Sequence, residues 1–124
     1  MQNMMIKINR RGYMRKKYKL QLHIKNYVKN ELYDYEKNKK MIKELQNSKS
    51  NTSTRTLLIA SRRINQIETV YNKLPKEDKQ AVKKIFFEHH SQIYAEVNDN
   101  ITKDMYYNIM NKMIYLTALE FELI

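Results

Sequence analysis

Few residues in this chain could do covalent chemistry. His89 and His90 are adjacent, so one helix face cannot offer both to a metal as an i, i+4 pair would, and His23 is far away. There is no cysteine, which excludes a thiolate metal site and a disulfide scaffold and fits an intracellular protein. Glu77 and Asp78 follow Pro75 at the expected start of a helix. Carboxylates there answer the helix dipole better than they serve acid–base work. There is no glycine-rich phosphate loop and no serine elbow motif. The residues therefore point to no enzyme, no metal and no cofactor.

What remains is hydrogen-bonding chemistry, and it gathers in the last 25 residues, "NITKDMYYNIMNKMIYLTALEFELI". Thr102 is a good N-cap for a helix beginning at Lys103. With Tyr106, Met110, Met113 and Leu116 or Thr117 turned inward, the outward set is Lys103, Asp104, Tyr107, Asn108 and Asn111. If such a helix enters a major groove, its N-terminal residues face base edges. Asparagine pairs bidentately with adenine and lysine donates to guanine. Tyr107 would then meet a phosphate or a thymine methyl. The plainer alternative is that all five are ordinary surface residues of a core helix.

The net charge is +11, and it is unevenly placed. Residues 1–50 hold 14 Lys/Arg against 4 Asp/Glu, whereas residues 51–124 hold 10 against 9. Such a basic half favours a polyanionic partner. "RRGYMRKKYK" carries six cations between Arg10 and Lys19, with the chain's one glycine. It reads as a flexible basic arm, residues 1–18. Either it is solvated or it holds phosphates through Arg10, Arg11, Arg15, Lys16 and Lys17, with Lys112 as a further phosphate contact. The segment lacks the apolar core of a secretory signal, and no run of 18 apolar residues suggests a membrane span.

The elements that must position these side chains are helices. One glycine and one proline in 124 residues are too few turn formers for a β-rich fold. A helix is expected from about Lys19 to Gln46, with Ile24, Val28, Leu32, Tyr35, Ile42 and Leu45 on one stripe. "NSKSNTS" is a loop. A second helix follows from about Thr54 to Lys73. Its seam places Leu57, Ile64 and Tyr71 at one heptad position and Ala60, Ile67 and Leu74 at the other. That seam suits an antiparallel hairpin with the first helix, 19–73, or pairing with a second copy. "KLPKEDKQAVKKIFFEHH" opens a third helix, with Val82, Ile85, Phe86 and His89 inward and Phe87 displaced. A short helix, about Ser91–Val97, runs into "NDN", a turn whose residues tolerate the left-handed conformation. Met105, Met110 and Met113 are expected to fill a core.

A short helix, a turn, an apolar residue, a threonine cap and a longer helix is helix-turn-helix order. "LPKEDKQAVKKIFF" is similar to the Leu-Pro-acidic helix before the helix-turn-helix of region four in bacterial sigma factors. The chain as a whole resembles the RinA/ArpU-type phage late transcription regulators over about residues 20–124. The segments that carry the resemblance are "VKNELYDYEKNKKMIKELQ", "SNTSTRTLL", "VYNKLPKEDKQAVKKIFF" and "ITKDMYYNIMNKMIYLTALEFELI". It implies an all-α fold, a helical hairpin followed by a DNA-binding helix-turn-helix over 74–124. It also implies an activator of late packaging or structural genes in the cytoplasm of a bacterial host, with double-stranded DNA and RNA polymerase as partners. Two features depart from the family pattern. Five residues, not four, separate Ala95 from Ile101, so either the turn is longer or Ala95 is not the packing residue. The last helix also offers only Lys103 and Lys112 where relatives carry several cations.

A second function class competes. The near-neutral C-terminal half and the Leu57–Leu74 seam also suit a small helical module that binds another regulator or the polymerase without reading DNA. A homodimer through that seam is left open. A membrane-surface helix is disfavoured, because the core needs its apolar stripe.

Overall fold

The computed structural model describes residues 19–47 and 54–124, and among them every regular element is helical. We label them α1 (Leu22–Tyr33), α2 (Tyr35–Asn47), α3 (Thr54–Lys73), α4 (Lys76–Val82), α5 (Gln92–Asn98) and α6 (Lys103–Glu120). A π-helical turn, Lys83–Phe87, continues α4. The basic arm and most of the expected loop after α2 lie outside the described residues. No described helix is long and apolar enough to cross a membrane.

The single helix expected from Lys19 to Gln46 is instead two, parted at Asp34 (φ −91°, ψ 5°). Hydrogen bonds bridge the break: the Asp34 amide donates to Asn30 at 2.9 Å, and its carbonyl accepts from Asn38 at 2.8 Å. Neither proline nor glycine is present there. Packing supplies the reason. The stripe Val28, Leu32, Tyr35 and Ile42 is buried as the spacing predicts, but its two halves serve different neighbours. α1 lies on α6 and α2 lies on α3, and the bend lets one stripe meet both.

α2 and α3 form the hairpin. Ile64, Ile67 and Leu74 of the seam are buried in the common core, while Leu57, Ala60 and Tyr71 are only partly buried. A polar clasp fixes the register. The Tyr35 hydroxyl donates to Glu68 at 2.7 Å, and Lys39 reaches the same carboxylate at 3.2 Å. Burial, and then the bond to Glu68, push the Tyr35 phenol up to about 12. The same bond holds Glu68 below its ordinary value.

The π-turn explains the displaced phenylalanine. The Glu88 amide reaches back five residues to Lys83 at 2.8 Å, which inserts an extra residue into the turn. Phe86 therefore faces the core, fully buried, with its ring 5.1 Å from that of Tyr33. Phe87 faces the hairpin, 4.5 Å from the Tyr35 ring and 5.4 Å from that of Tyr71. His89, expected on the inner face, is exposed. The helix has already ended, and His89 takes a left-handed φ of 57° at the corner. Histidine is among the residues that adopt this conformation most readily after glycine.

α6 is the centre of the bundle, packed by α1, α3, α4 and α5. That is why its later turns have almost no polar face. Met110, Met113, Ile114, Thr117 and Ala118 are all buried. Met105, expected in the core with the other two methionines, is about half exposed because it precedes the packed turns. The helix ends in a Schellman arrangement. Glu122 has φ 61°, and the Leu123 amide donates to Ala118 at 3.0 Å. Each fully buried aliphatic side chain of this core contributes roughly 1.5–3 kcal/mol.

Candidate nucleic-acid interface

The turn between α5 and α6 is closed from both sides. Ser91 caps α5 by accepting from the Tyr94 amide at 3.2 Å, and Thr102 caps α6 by accepting from the Met105 amide at 3.2 Å. Between them Asn100 takes φ 56°, and the Ile101 amide reaches back to the Ala95 carbonyl at 3.2 Å. Ala95 and Ile101 are both buried. Of the two alternatives left by their spacing, the turn is the longer one and Ala95 is the packing residue.

A histidine braces this turn, which the sequence did not announce. His90 Nδ1 lies 2.6 Å from a carboxylate oxygen of Asp99, and the His90 carbonyl accepts from the Tyr106 hydroxyl at 2.8 Å. One residue thus ties the α4–α5 corner to the α5–α6 turn and to the first turn of α6. Its neighbour His89 holds the Tyr33 carbonyl at 2.6 Å, linking the same corner to the end of α1. Burial, and then the neighbouring Tyr33, push the Tyr106 phenol up to about 12. Among the described residues no group of three or more His, Cys, Asp or Glu is placed to hold a metal.

Lys103, Asp104, Tyr107 and Asn108 are all exposed on the first two turns of α6, and Asn111 is half-buried. Tyr106 is buried and Tyr107 exposed, their rings edge-on at 5.4 Å. The surface available for contact is therefore the first turn and a half, shorter than the set of five implies. Lys112 is committed elsewhere: its ammonium lies 2.7 Å from Asp78 on α4, and both side chains are largely shielded. Arg10, Arg11, Arg15, Lys16 and Lys17 lie outside the described residues.

The structure adds candidates that no motif indicated. A groove of about 750 Å³ runs between α4 and the α5–α6 turn, where Lys83 and Lys84 share the lining with Glu77, Asp99, Asn98 and Asn100. Lys84 is paired with Glu88 at 3.3 Å. Lys83 has no ion-pair partner among the described residues and is exposed. On the outer face of α5, Ile93 and Val97 stand one turn apart and are more than two-thirds exposed. Adjacent lysines in "VKKIFF" were visible in the sequence; only the corner at His89 brings them to the turn.

α1 runs antiparallel to α6, with Tyr27 against Phe121 at one end and Tyr33 beside Tyr106 at the other. The described chain thus begins near the C-terminal end of α6. That end is roughly 27 Å from the exposed first turn, at 1.5 Å per helical residue. No family model matches the chain, and no curated protein and no solved structure matches it.

Proposed function

We propose that this chain is a sequence-specific DNA-binding transcription regulator of the RinA/ArpU type, activating late genes of a phage or mobile element in the cytoplasm of a bacterial host. The observation that carries this is the α5–turn–α6 unit. A short helix and a long one are locked by Ala95, Ile101 and the Thr102 cap, and the start of the long helix presents Lys103, Tyr107 and Asn108 to solvent. Helix-turn-helix proteins read bases with those positions. Asn108 offers bidentate pairing to adenine, and Lys103 donates to guanine or phosphate. Lys83, across the groove, is a further cation for the strand that flanks the turn.

The basic arm supplies most of the electrostatic hold. It joins the bundle at the end of α6 away from the reading turn. Eighteen residues can span at most roughly 60 Å, so the arm can follow the duplex past that distance. Binding then weakens steeply with salt, because each neutralised phosphate releases counterion.

The test is a titration of the full chain against DNA from upstream of its own gene cluster and against random duplex. Tighter binding to the former supports the proposal. Asn108→Ala with Asn111→Ala relaxes the preference, while neutralising Arg10, Arg11, Arg15, Lys16 and Lys17 weakens binding to every sequence alike. Equal affinity for both duplexes overturns sequence reading. It would favour the second function class, a module that binds another regulator or RNA polymerase, for which the exposed Ile93 and Val97 are the specific support.

A further inference from the structure

The outer face of α3 carries a surface that the bundle does not use. Arg55, Leu58, Ile59 and Arg62 fall at steps of three and four, so they share one stripe near the start of the helix. Leu58 is 66% exposed and Ile59 56%, while the inward positions Ile64 and Ile67 are buried. Neither Arg55 nor Arg62 has an acceptor among the described residues, in contrast to Arg63, which stacks on Phe121 at 4.3 Å and bonds Gln66 at 3.2 Å. Single exposed aliphatics are common, but two adjacent ones bracketed by two guanidiniums with no acceptor among the described residues form a docking pattern on a helix stripe.

We propose that this stripe docks an acidic amphipathic helix of a protein partner, whose apolar side chains cover Leu58 and Ile59 and whose carboxylates meet Arg55 and Arg62. Charge selects this occupant over three others. A twofold-related copy of α3 would set the arginines of one stripe against those of the other. Residues 1–18 of the chain carry six cations and no carboxylate, so they are repelled. A nucleic acid would match the arginines but leave the two aliphatic side chains without apolar cover. The surface is independent of the DNA-reading proposal, since it lies on α3 and not on the α5–α6 unit.

The probe is a capped synthetic helix of about 15 residues, with leucines at i, i+3, i+4 and i+7 flanked by glutamates. It is titrated by fluorescence anisotropy against the full chain. The expected result is saturable binding that weakens roughly tenfold or more in Leu58→Asp with Ile59→Asp, an anchor-sized effect. Binding is also lost in Arg55→Glu with Arg62→Glu, and regained there by a lysine-flanked peptide of the same spacing. Leu58→Ala with Ile59→Ala gives a smaller loss, and circular dichroism checks that each variant is folded. Absence of saturable binding, or equal binding to all variants, overturns the proposal. So does self-association in sedimentation that the Asp pair abolishes, which would make the occupant a second copy. A drop in DNA affinity in the charge-neutral Leu58→Ala with Ile59→Ala would make it nucleic acid, and likewise overturns it.

Discussion

His90 and Asp99 meet at 2.6 Å across the α5 segment, the imidazole from the corner before the helix and the carboxylate from the turn after it. The carboxylate accepts, so Nδ1 carries the proton in this pair. Both side chains are largely shielded from solvent, so the bond works where water competes weakly. It makes the two ends of a seven-residue helix into one rigid unit, which a helix that short could not be by itself.

His90→Ala is therefore expected to cost about 1.5–3 kcal/mol in urea unfolding, the range for a hydrogen bond to a charged group. Asp99→Asn should cost less, since an amide oxygen still accepts. If the α5–α6 unit reads DNA, both variants lose preference for the upstream duplex while keeping the salt dependence supplied elsewhere. An unchanged unfolding midpoint in His90→Ala would show that the bond does not brace the turn.

Lys112 and Asp78 predict an opposite pattern. The ammonium–carboxylate pair joins α6 to α4 at 2.7 Å with both groups mostly covered. Lys112→Met should lower stability by about 1 kcal/mol, because the half-buried Asp78 loses its partner. It should leave the slope of log affinity against log salt for DNA unchanged. A slope reduced by about one would place Lys112 on a phosphate instead.

Thr117 points the other way. It is fully buried within α6, and its hydroxyl has no hydrogen-bond partner among the described residues. Thr117→Val keeps the shape and removes the unsatisfied group. A stability gain of roughly 1–2 kcal/mol is expected by thermal or urea unfolding. A loss would mean that the hydroxyl is bonded in solution.

Tyr35 and Tyr106 set an alkaline limit. Both phenols are pushed up to about 12 from the ordinary 10.0, chiefly by burial. The unfolded chain releases these protons near pH 10 while the folded chain keeps them. Their contribution is thus whole below pH 10 and falls away as pH rises to about 12. Glu68 acts in the reverse sense: its lowered value gives stability that is present above the ordinary 4.5 and is lost as the solution becomes more acidic. Urea midpoints across both ranges, with tyrosinate absorbance on the alkaline side, check the signs. Tyr35→Phe should flatten part of each slope, since it removes the phenol and the bond that depresses Glu68. Unaltered slopes would contradict this coupling.

Periodicity alone determined much of this protein. The stripe Val28–Leu32–Tyr35–Ile42, the seam of α3, the Thr102 cap and the inward set Tyr106, Met110 and Met113 are all recoverable from residue type and spacing. These are local consequences of a 3.6-residue repeat and of which side chains prefer water, and both are written along the chain. Lys103, Asp104, Tyr107 and Asn108 on the outer face of α6 were legible for the same reason, because a helix face is known once its opposite face is. Asn111, expected outward, is half-buried.

Contacts between distant segments were decided only in three dimensions. Nothing near Asp34 announces a break; it arises because one stripe must serve α6 and then α3. His89 sat on the expected inner face until a π-turn ended the helix before it. His90 looked like one half of a useless histidine pair until the corner carried it to Asp99. Lys112 read as a phosphate contact; only the packing of α4 brings Asp78 to it. In each case the partner is supplied by another element, so its identity depends on how the helices pack. That is also why the Arg55–Leu58–Ile59–Arg62 stripe emerged only from the fold: the sequence marks a side chain as apolar, but only the packed bundle shows which apolar side chains it has left uncovered.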